Sequence, residues 1–282
     1  MGLKAGIIGL PNVGKSTIFN ALTKSEIPAE NYPFCTIDPN VGIVEVPDKR
    51  INDIADIFNP EVITPAVVEF VDIAGLVKGA SRGEGLGNKF LSHIRDVDAI
   101  VHVVRAFEEE NVTHVEGSLD PIRDIEIIET ELLIRDIASV EKRMEKLQKT
   151  ARIGDKESKE ELAVLEIIFP QMNKGTLVHD IALEPNHYKL IRQRDLLTIK
   201  PTLYVANVDE TEIAAYTRSA ALQTLFDFAE KKQNVSIRLC GKLESEIAAL
   251  PQDEKLLFLE EYNLPEPGLD KLIHASYQLL NL

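Results

Sequence analysis

The residues best suited to chemistry lie near the start of the chain, in the stretch GLPNVGKST from Gly9 to Thr17. This stretch has the spacing GxxxxGK[ST], and it lies between an apolar run typical of a buried strand and a run with helical spacing. Glycines let the backbone curl so that several N–H groups point at one phosphate, and the N-terminus of the following helix favours an anion. The stretch therefore predicts a phosphate-binding loop, in preference to a chance glycine turn.

The side chains of this loop have predicted roles toward a nucleoside triphosphate. Lys15 would neutralise charge on the β- and γ-phosphates during hydrolysis, and Ser16 would offer its hydroxyl to Mg²⁺. We expect six residues of the loop to bind the nucleotide: Asn12, Val13, Gly14, Lys15, Ser16 and Thr17.

Two further segments are predicted to complete the phosphate and metal site. Asp72 ends the apolar run VVEFVDI and could hold the Mg²⁺ shell, and the N–H group of Gly75 could reach the γ-phosphate. Thr36 lies in NYPFCTIDPN and could bind the same Mg²⁺ when a γ-phosphate is present, or it could be an ordinary loop threonine. In the first case the loop is a switch, ordered by the triphosphate and released after hydrolysis.

The elements that must position these residues follow an α/β pattern. Strand-like runs alternate with helical patterns over residues 1–120, and sheet-like runs return in KPTLYVANV and NVSIRLC. Buried runs separated by helices predict a mostly parallel sheet with helices packed on it. We therefore expect one α/β domain with two parts, residues 1–123 and residues 199–282, the second of which ends in a helix.

Residues 124–198 between these parts predict an inserted helical hairpin. Along the first helix, apolar residues recur four and three residues apart, which is the spacing of a coiled-coil seam: Leu133, Ile137, Val140, Met144 and Leu147. Gly154 marks a turn, and a second apolar stripe follows it: Leu162, Leu165, Phe169 and Met172. We expect an antiparallel coiled-coil hairpin that projects from the α/β domain, in preference to ordinary helices packed on the sheet.

Three segments together resemble the YchF subfamily of the Obg-related P-loop proteins, the Obg-like ATPases: GLPNVGKSTIFNALT, NYPFCTIDPN and DIAGLVKGASRGEGLGNKFL. RDIEIIETEL also fits that subfamily, so the resemblance covers essentially the whole chain. The resemblance implies a cytoplasmic, ribosome-associated P-loop nucleotidase of the translation-factor class, with a coiled-coil hairpin inserted in its G domain. It also implies a C-terminal TGS domain, a small β-grasp module for which the sequence up to Leu282 predicts no strands.

The base-reading segment departs from the pattern of guanine-specific relatives. They carry NKxD after a strand, and the aspartate accepts two hydrogen bonds from guanine, whereas the corresponding segment here is NVDE, with Val208 and Glu210 in the changed positions. A longer carboxylate should fit guanine poorly, and a mismatched buried polar contact changes specificity. We expect Asn207 to read adenine beside Val208, with Gly241 lending a backbone group. ATP should bind more tightly than GTP, and a GTPase is the alternative.

The activation of water is the least determined step. Many switch GTPases orient water with a glutamine just after DxxG, but this chain has Leu76 there, so we expect slow hydrolysis. His114 follows the strand DAIVHVVRAF and could position water from the carboxyl edge of the sheet, or it could be an ordinary surface histidine. Asn12 could help bind K⁺, as in some related proteins, or only brace its loop. A near-inert nucleotide sensor that binds a partner is the remaining alternative.

The charge distribution bears on partners. The net charge of −15 disfavours nonspecific nucleic-acid binding by the whole chain, yet residues 142–159 hold seven basic and three acidic residues. This basic tip of the hairpin could contact ribosomal RNA, in our expectation on the large subunit, or it could be a solvated helix face. The absence of a run of 18 apolar residues argues against a membrane span. Two distant cysteines, Cys35 and Cys240, favour a reducing compartment, and nothing requires more than a monomer.

Overall fold

The computed structural model describes residues 3–24, 40–73, 86–107, 119–215 and 217–280. Within these ranges it contains six β-strands: Leu3–Ile8 (β1), Val41–Glu45 (β2), Val67–Asp72 (β3), Ala99–Arg105 (β4), Thr202–Asn207 (β5) and Val235–Leu239 (β6). The helices of the same ranges are Lys15–Thr23 (α1), Lys49–Phe58 (α2), Leu86–Arg95 (α3), Pro121–Arg152 (α4), Lys156–Met172 (α5), Pro185–Arg192 (α6), Glu210–Ala214 (α7), Ala220–Lys231 (α8), Gly241–Ile247 (α9), Gln252–Glu261 (α10) and Gly268–Leu279 (α11).

The six strands form one sheet in the order β2-β3-β1-β4-β5-β6. The edge strand β2 runs antiparallel to β3, and the other four pairs are parallel. Every residue of β4 and β5 is buried, as is typical of central strands with both faces covered. The predicted α/β fold with a mostly parallel sheet is therefore confirmed.

Parallel pairing brings the predicted site segments to the same side of the sheet, at the carboxyl ends of its strands. Ile7 of β1 lies beside Asp72 of β3, so the loop after β1 and the end of β3 are neighbours. On the other side, Asn207 at the end of β5 lies between Arg105 of β4 and Leu239 of β6. Because ligands of open parallel sheets bind outside the carboxyl ends of the strands, this edge is the expected place for a site.

The chain divides into two compact units. The first comprises Met1–Gly75, Val97–Ile122 and Thr202–Leu282, and the second comprises Leu76–Asp96 and Arg123–Pro201. The sequence placed α3 in the α/β domain, whereas the structure groups this helix with the second unit. Within this second unit, the ammonium group of Lys200 donates a hydrogen bond to the carbonyl of Arg95 at the end of α3, at 3.0 Å.

The second unit contains the predicted helix pair, α4 and α5. All residues of the two predicted apolar stripes belong to one apolar cluster, which also takes in residues of α6 and of the segments around it. Thr150 contacts Ser158 at 2.7 Å between their hydroxyl oxygens, and Arg143 contacts Glu161 farther from the turn. Because earlier residues of α4 meet later residues of α5, the two helices are antiparallel, as the sequence predicts.

The turn between α4 and α5 also follows the predicted chemistry. Gly154 has φ of +101°, a conformation that glycine adopts without steric cost. Asp155 caps α5, because its carboxylate accepts a hydrogen bond from the backbone N–H of Ser158 at 2.9 Å. None of the helices in the described ranges has the length and apolar character needed to cross a membrane.

One buried carboxylate ties the second unit together. The Glu161 side chain is only 3% exposed and accepts two hydrogen bonds from the guanidinium group of Arg143, both at 2.8 Å. Arg194, which follows α6, contacts the same carboxylate at 2.9 Å. Two cations from different segments therefore compensate one buried charge, which fixes the segment after α6 against the helix pair.

Candidate nucleotide-binding site

The phosphate loop owes its shape to two glycines. Gly14 has φ of +88° and is the residue before α1, and a side chain there would collide with the amide of Asn207. A Cβ atom at Gly9 would lie 2.6 Å from the carbonyl oxygen of Val103 in β4. Glycine is therefore required at both positions by close approach to the neighbouring strands. The loop passes directly into α1, whose first N–H groups are suited to an anion.

Lys15 and Asp72 lie in direct contact. The ammonium group of Lys15 donates to Oδ1 of Asp72, and the two side chains are 10% and 18% exposed. A nearly buried ammonium group needs a compensating anion, and Asp72 provides it. The side chain predicted to bind the γ-phosphate and the side chain predicted to bind Mg²⁺ are therefore in contact, at the carboxyl ends of the strands.

Asn207 joins the phosphate loop to the loop after β6. Its amide nitrogen donates to the carbonyl oxygen of Val13, and its amide oxygen accepts from the backbone N–H of Gly241, both at 2.9 Å. The residue is 4% exposed. Asn207 therefore braces two loops that are far apart in sequence. Its predicted role in reading adenine stays a prediction. Contact with a base would use the second N–H of the amide and the second lone pair of its oxygen, which these two hydrogen bonds do not use.

The residues beside Asn207 divide between packing and capping. Val208 is buried and donates its backbone N–H to the carbonyl of Leu239 at 2.9 Å, so it packs beneath the loop after β6. Asp209 caps α7 by accepting from the hydroxyl of Thr211 at 2.6 Å and from the backbone N–H of Glu212 at 2.8 Å. These two hydrogen bonds hold the pKa of Asp209 below its ordinary value. Asp209 is therefore committed to its helix.

A cavity of about 610 Å³ opens between these loops. Its lining comes from the phosphate loop, from the ends of β4 and β5 and from the start of α9: Asn12, Gly14, Thr17, Phe107, Asn207, Val208, Asp209, Glu210, Thr211, Cys240 and Lys242. This volume falls within the range of small-molecule sites. The cavity holds five of the predicted nucleotide-binding residues: Asn12, Gly14, Thr17, Asn207 and Val208.

Sequence analysis assigned no role to three side chains that line this cavity, those of Phe107, Thr211 and Lys242. Phe107 follows β4, and its backbone carbonyl accepts a hydrogen bond from the Arg105 guanidinium at 3.0 Å, while the same guanidinium lies 4.6 Å from the centre of its ring. Lys242 is the second residue of α9 and pairs with Glu210, with 2.8 Å between Nζ and Oε1. Position directly after a parallel strand was the available signal for Phe107. Nothing local indicated the partner of Lys242.

Two of the predicted metal ligands, Ser16 and Asp72, belong to the described residues. Ser16 opens α1 next to Lys15, which contacts Asp72. Mg²⁺ in nucleotide sites takes one or two protein oxygen ligands and fills its shell with phosphate and water, so a hydroxyl and a carboxylate fit it. The part of the chain that the structure describes has no cluster of three or more His, Cys, Asp or Glu residues suited to a metal.

Several predicted residues lie outside the described residues: Thr36, Gly75, Leu76, His114 and Cys35. Their assigned roles stay predictions. Of the remaining residues, Asn12 has φ of +64° within the phosphate loop, and Cys240 is buried beside the cavity, where burial raises the pKa of its thiol. A packing role fits the buried Cys240.

Comparison with known proteins finds relatives that match the whole chain. A family described as 50S ribosome-binding GTPase matches residues 4–135. The "Ribosome-binding ATPase YchF" of Haemophilus ducreyi is 50% identical over 282 residues, which cover 100% of this chain and 77% of that protein. The protein of that name from Bacillus subtilis is 51% identical over the same shares. The solved structure of the Schizosaccharomyces pombe YchF GTPase superposes with a TM-score of 0.85 at 37% identity, covering 99% of this chain and 76% of that one.

Proposed function

The chain belongs to the YchF family, and we propose that it binds ATP in preference to GTP, hydrolyses it slowly with Mg²⁺, and acts on the ribosome as a nucleotide-dependent switch. The observation that carries the proposal is the cavity of about 610 Å³ that joins the phosphate loop to the NVDE segment. Gly14 and Thr17, which flank Lys15 and Ser16 in the chain, line one part of this cavity, and Glu210 lines another. A nucleotide would place its phosphates near Gly14 and Thr17 and its base near Glu210.

The phosphate end follows from the contacts of Lys15. The N–H groups at the start of α1 and the Lys15 ammonium would hold the β- and γ-phosphates, while Gly75 would add an N–H group at the γ-phosphate. Ser16, Asp72 and Thr36 would hold Mg²⁺, which when bound neutralises charge on the phosphate oxygens. Asp72 would exchange its contact with Lys15 for the metal shell, which frees the lysine for phosphate.

The acidic residues at the end of the cavity proposed for the base support a preference for ATP over GTP. Guanine needs a carboxylate with two free acceptor atoms, but Asp209 caps α7 and Glu210 contacts Lys242. The side-chain amide of Asn207, which has both a donor and an acceptor, would contact adenine. GTP is the second candidate. Two findings favour it, since the matching family and the related S. pombe structure both bear the name of a GTPase, while the bacterial relatives bear the name of ATPases.

The hydrolytic step rests on residues outside the described ranges. We infer that His114 positions the attacking water, because Leu76 offers no hydrogen bond for it. His114→Ala should lower turnover and leave ATP affinity unchanged. Unchanged turnover would remove His114 from the mechanism. Comparing rates in K⁺ and Na⁺ tests whether Asn12 helps bind K⁺, since equal rates would exclude that role.

The ribosome contact is proposed for the basic side of the hairpin. A groove of about 470 Å³ on α4 is lined by four basic residues, of which Arg143 already compensates Glu161: Arg135, Lys142, Arg143 and Lys146. A row of cations on one helix suits the phosphate backbone of ribosomal RNA, whose contacts dominate affinity and weaken with salt. We also propose that the protein is a monomer, that it works in the cytoplasm, and that it binds the large ribosomal subunit.

The test of the proposed function is ATP turnover with purified ribosomes. We expect phosphate release that requires Mg²⁺, rises or falls on ribosome addition, and is lost in Lys15→Ala. Ribosome co-sedimentation should differ between ATP and ADP, and the charge reversals Lys146→Glu, Lys149→Glu and Arg152→Glu should weaken it. Turnover indistinguishable from Lys15→Ala, with strong nucleotide-dependent ribosome binding, would favour a sensor. Co-sedimentation unaffected by the reversals would remove the hairpin tip from the interface.

A further inference from the structure

Two loops meet across the base end of the cavity through one ion pair. Glu210 lies in the first turn of α7, after β5, and Lys242 lies in the first turn of α9, after β6. Their Nζ and Oε1 atoms are 2.8 Å apart, and both side chains line the cavity of about 610 Å³. The hydrogen bond from its ammonium group to the Glu210 carboxylate raises the pKa of Lys242 above its ordinary value.

This ion pair changes which groups the cavity can offer to a base. The Watson–Crick edge of guanine carries two neighbouring donors, N1–H and the amino group, and these need two acceptors. A free carboxylate has two oxygens for them, but a carboxylate held by an ammonium group presents one free oxygen beside a donor. The corresponding edge of adenine carries one donor and one acceptor, which matches such a pair.

The neighbouring acid does not replace Glu210. Asp209 accepts hydrogen bonds from the Thr211 hydroxyl and the Glu212 backbone at the start of α7. Releasing it would remove the cap of that helix, which costs about 1 kcal/mol in comparable helices. The state of Glu210 therefore decides how well the cavity accepts guanine.

We propose that Lys242 is a specificity-determining residue that acts through Glu210: by pairing with this carboxylate it disfavours GTP relative to ATP. The proposal rests on the proposed nucleotide-binding function and adds a residue to it. Lys242 is a positioning residue in this role, because it controls the carboxylate that faces the base. Its partner comes from a different loop, so the base preference depends on the spacing of β5 and β6.

The test is equilibrium competition of unlabelled ATP and GTP against a fluorescent nonhydrolysable ATP analogue. The quantity compared is the ratio of the two dissociation constants. Lys242→Met should shift this ratio toward GTP by about threefold to fivefold, which is the scale expected for a partly exposed ion pair. Lys242→Arg keeps the cation and should restore the ratio of the unaltered chain.

A control and a double-mutant cycle separate the proposed cause from others. Lys4 forms a comparable ion pair with Glu69 at 3.3 Å, away from the cavity lining, so Lys4→Met should leave the ratio unchanged. In a Glu210→Gln background, Lys242→Met should have no further effect, because the group through which it acts is gone.

Two results would overturn the proposal. One is an unchanged ratio in Lys242→Met, and the other is the same shift in the Glu210→Gln background, which would mean that the lysine contacts the base itself. Failure of the proposed function looks different. A chain that binds neither nucleotide, or whose unaltered form binds GTP more tightly, contradicts that function, whereas the effect of Lys242 is measured as a change in ratio.

Discussion

Replacement of Asn207 by alanine should weaken both the first unit and its hold on nucleotides. The Asn207 amide makes two hydrogen bonds of 2.9 Å, one to the carbonyl of Val13 in the phosphate loop and one from the N–H of Gly241. Alanine removes both partners at once. It also removes the amide atoms that pack against the backbone of Gly14, where even a Cβ atom would collide with the Asn207 side chain.

The size of the effect follows from burial. Asn207 is 4% exposed, so its two backbone partners would lose their hydrogen bonds at a position with little access to solvent. A buried polar group left without a partner costs about 1–3 kcal/mol, and the adjoining cavity lets water relieve part of this cost. We therefore expect a loss of about 2–4 kcal/mol in the free energy of unfolding, or a fall of about 5–15 °C in the melting temperature.

The assay pairs thermal unfolding with ATP affinity. Asn173→Ala is the matched control, since that asparagine donates one exposed hydrogen bond to the carbonyl of Phe169 in the second unit. We expect Asn207→Ala to lower the melting temperature and to weaken ATP binding about tenfold or more, while the control does neither. A melting temperature and an affinity equal to those of the control would refute the bracing role of Asn207.

Three further predictions concern a buried histidine, a buried glutamate and the proposed metal site. Burial lowers the pKa of His102 to about 3, below its ordinary value of 6.5, so only the unfolded state takes up a proton as the pH falls through 6. This group should make the protein about 2 kcal/mol less stable at pH 5 than at pH 8, and His102→Gln should remove that part of the slope in urea unfolding. Glu161→Gln should destabilise the second unit by about 1–3 kcal/mol, because the amide no longer balances Arg143 and Arg194, as amide hydrogen exchange would report. Asp72→Asn should weaken ATP binding about tenfold with Mg²⁺ but not with EDTA, and equal effects in the two buffers would exclude a metal role.

The sequence predicts the sheet well because its strands are short apolar runs with clear boundaries. β4 and β5 are buried along their whole length, and such runs are legible without knowledge of their partners. Sequence analysis gave no helix for α2, although its apolar residues Ile51, Ile54 and Phe58 recur at helical spacing. The structure leaves Ile54, Ile57 and Phe58 exposed, so an apolar stripe at helical spacing does not by itself show that a helix face is buried.

The site could be predicted at the level of motifs but not of contacts. The phosphate loop is one continuous segment, so its spacing identifies it. The brace from Asn207 to Val13 spans 194 positions, and the pair of Glu210 with Lys242 joins two loops. Such contacts depend on strand order and register, because β5 and β6 must be neighbours before their loops can meet.

The most direct test of the account is the equilibrium affinity of this chain for ATP and for GTP in the presence of Mg²⁺. We expect tighter binding of ATP, with measurable but weaker binding of GTP, because the acids of the NVDE segment are committed to α7 and to Lys242. Tighter binding of GTP would contradict the account, since it would show that Glu210 reads guanine as the aspartate of ordinary GTPases does.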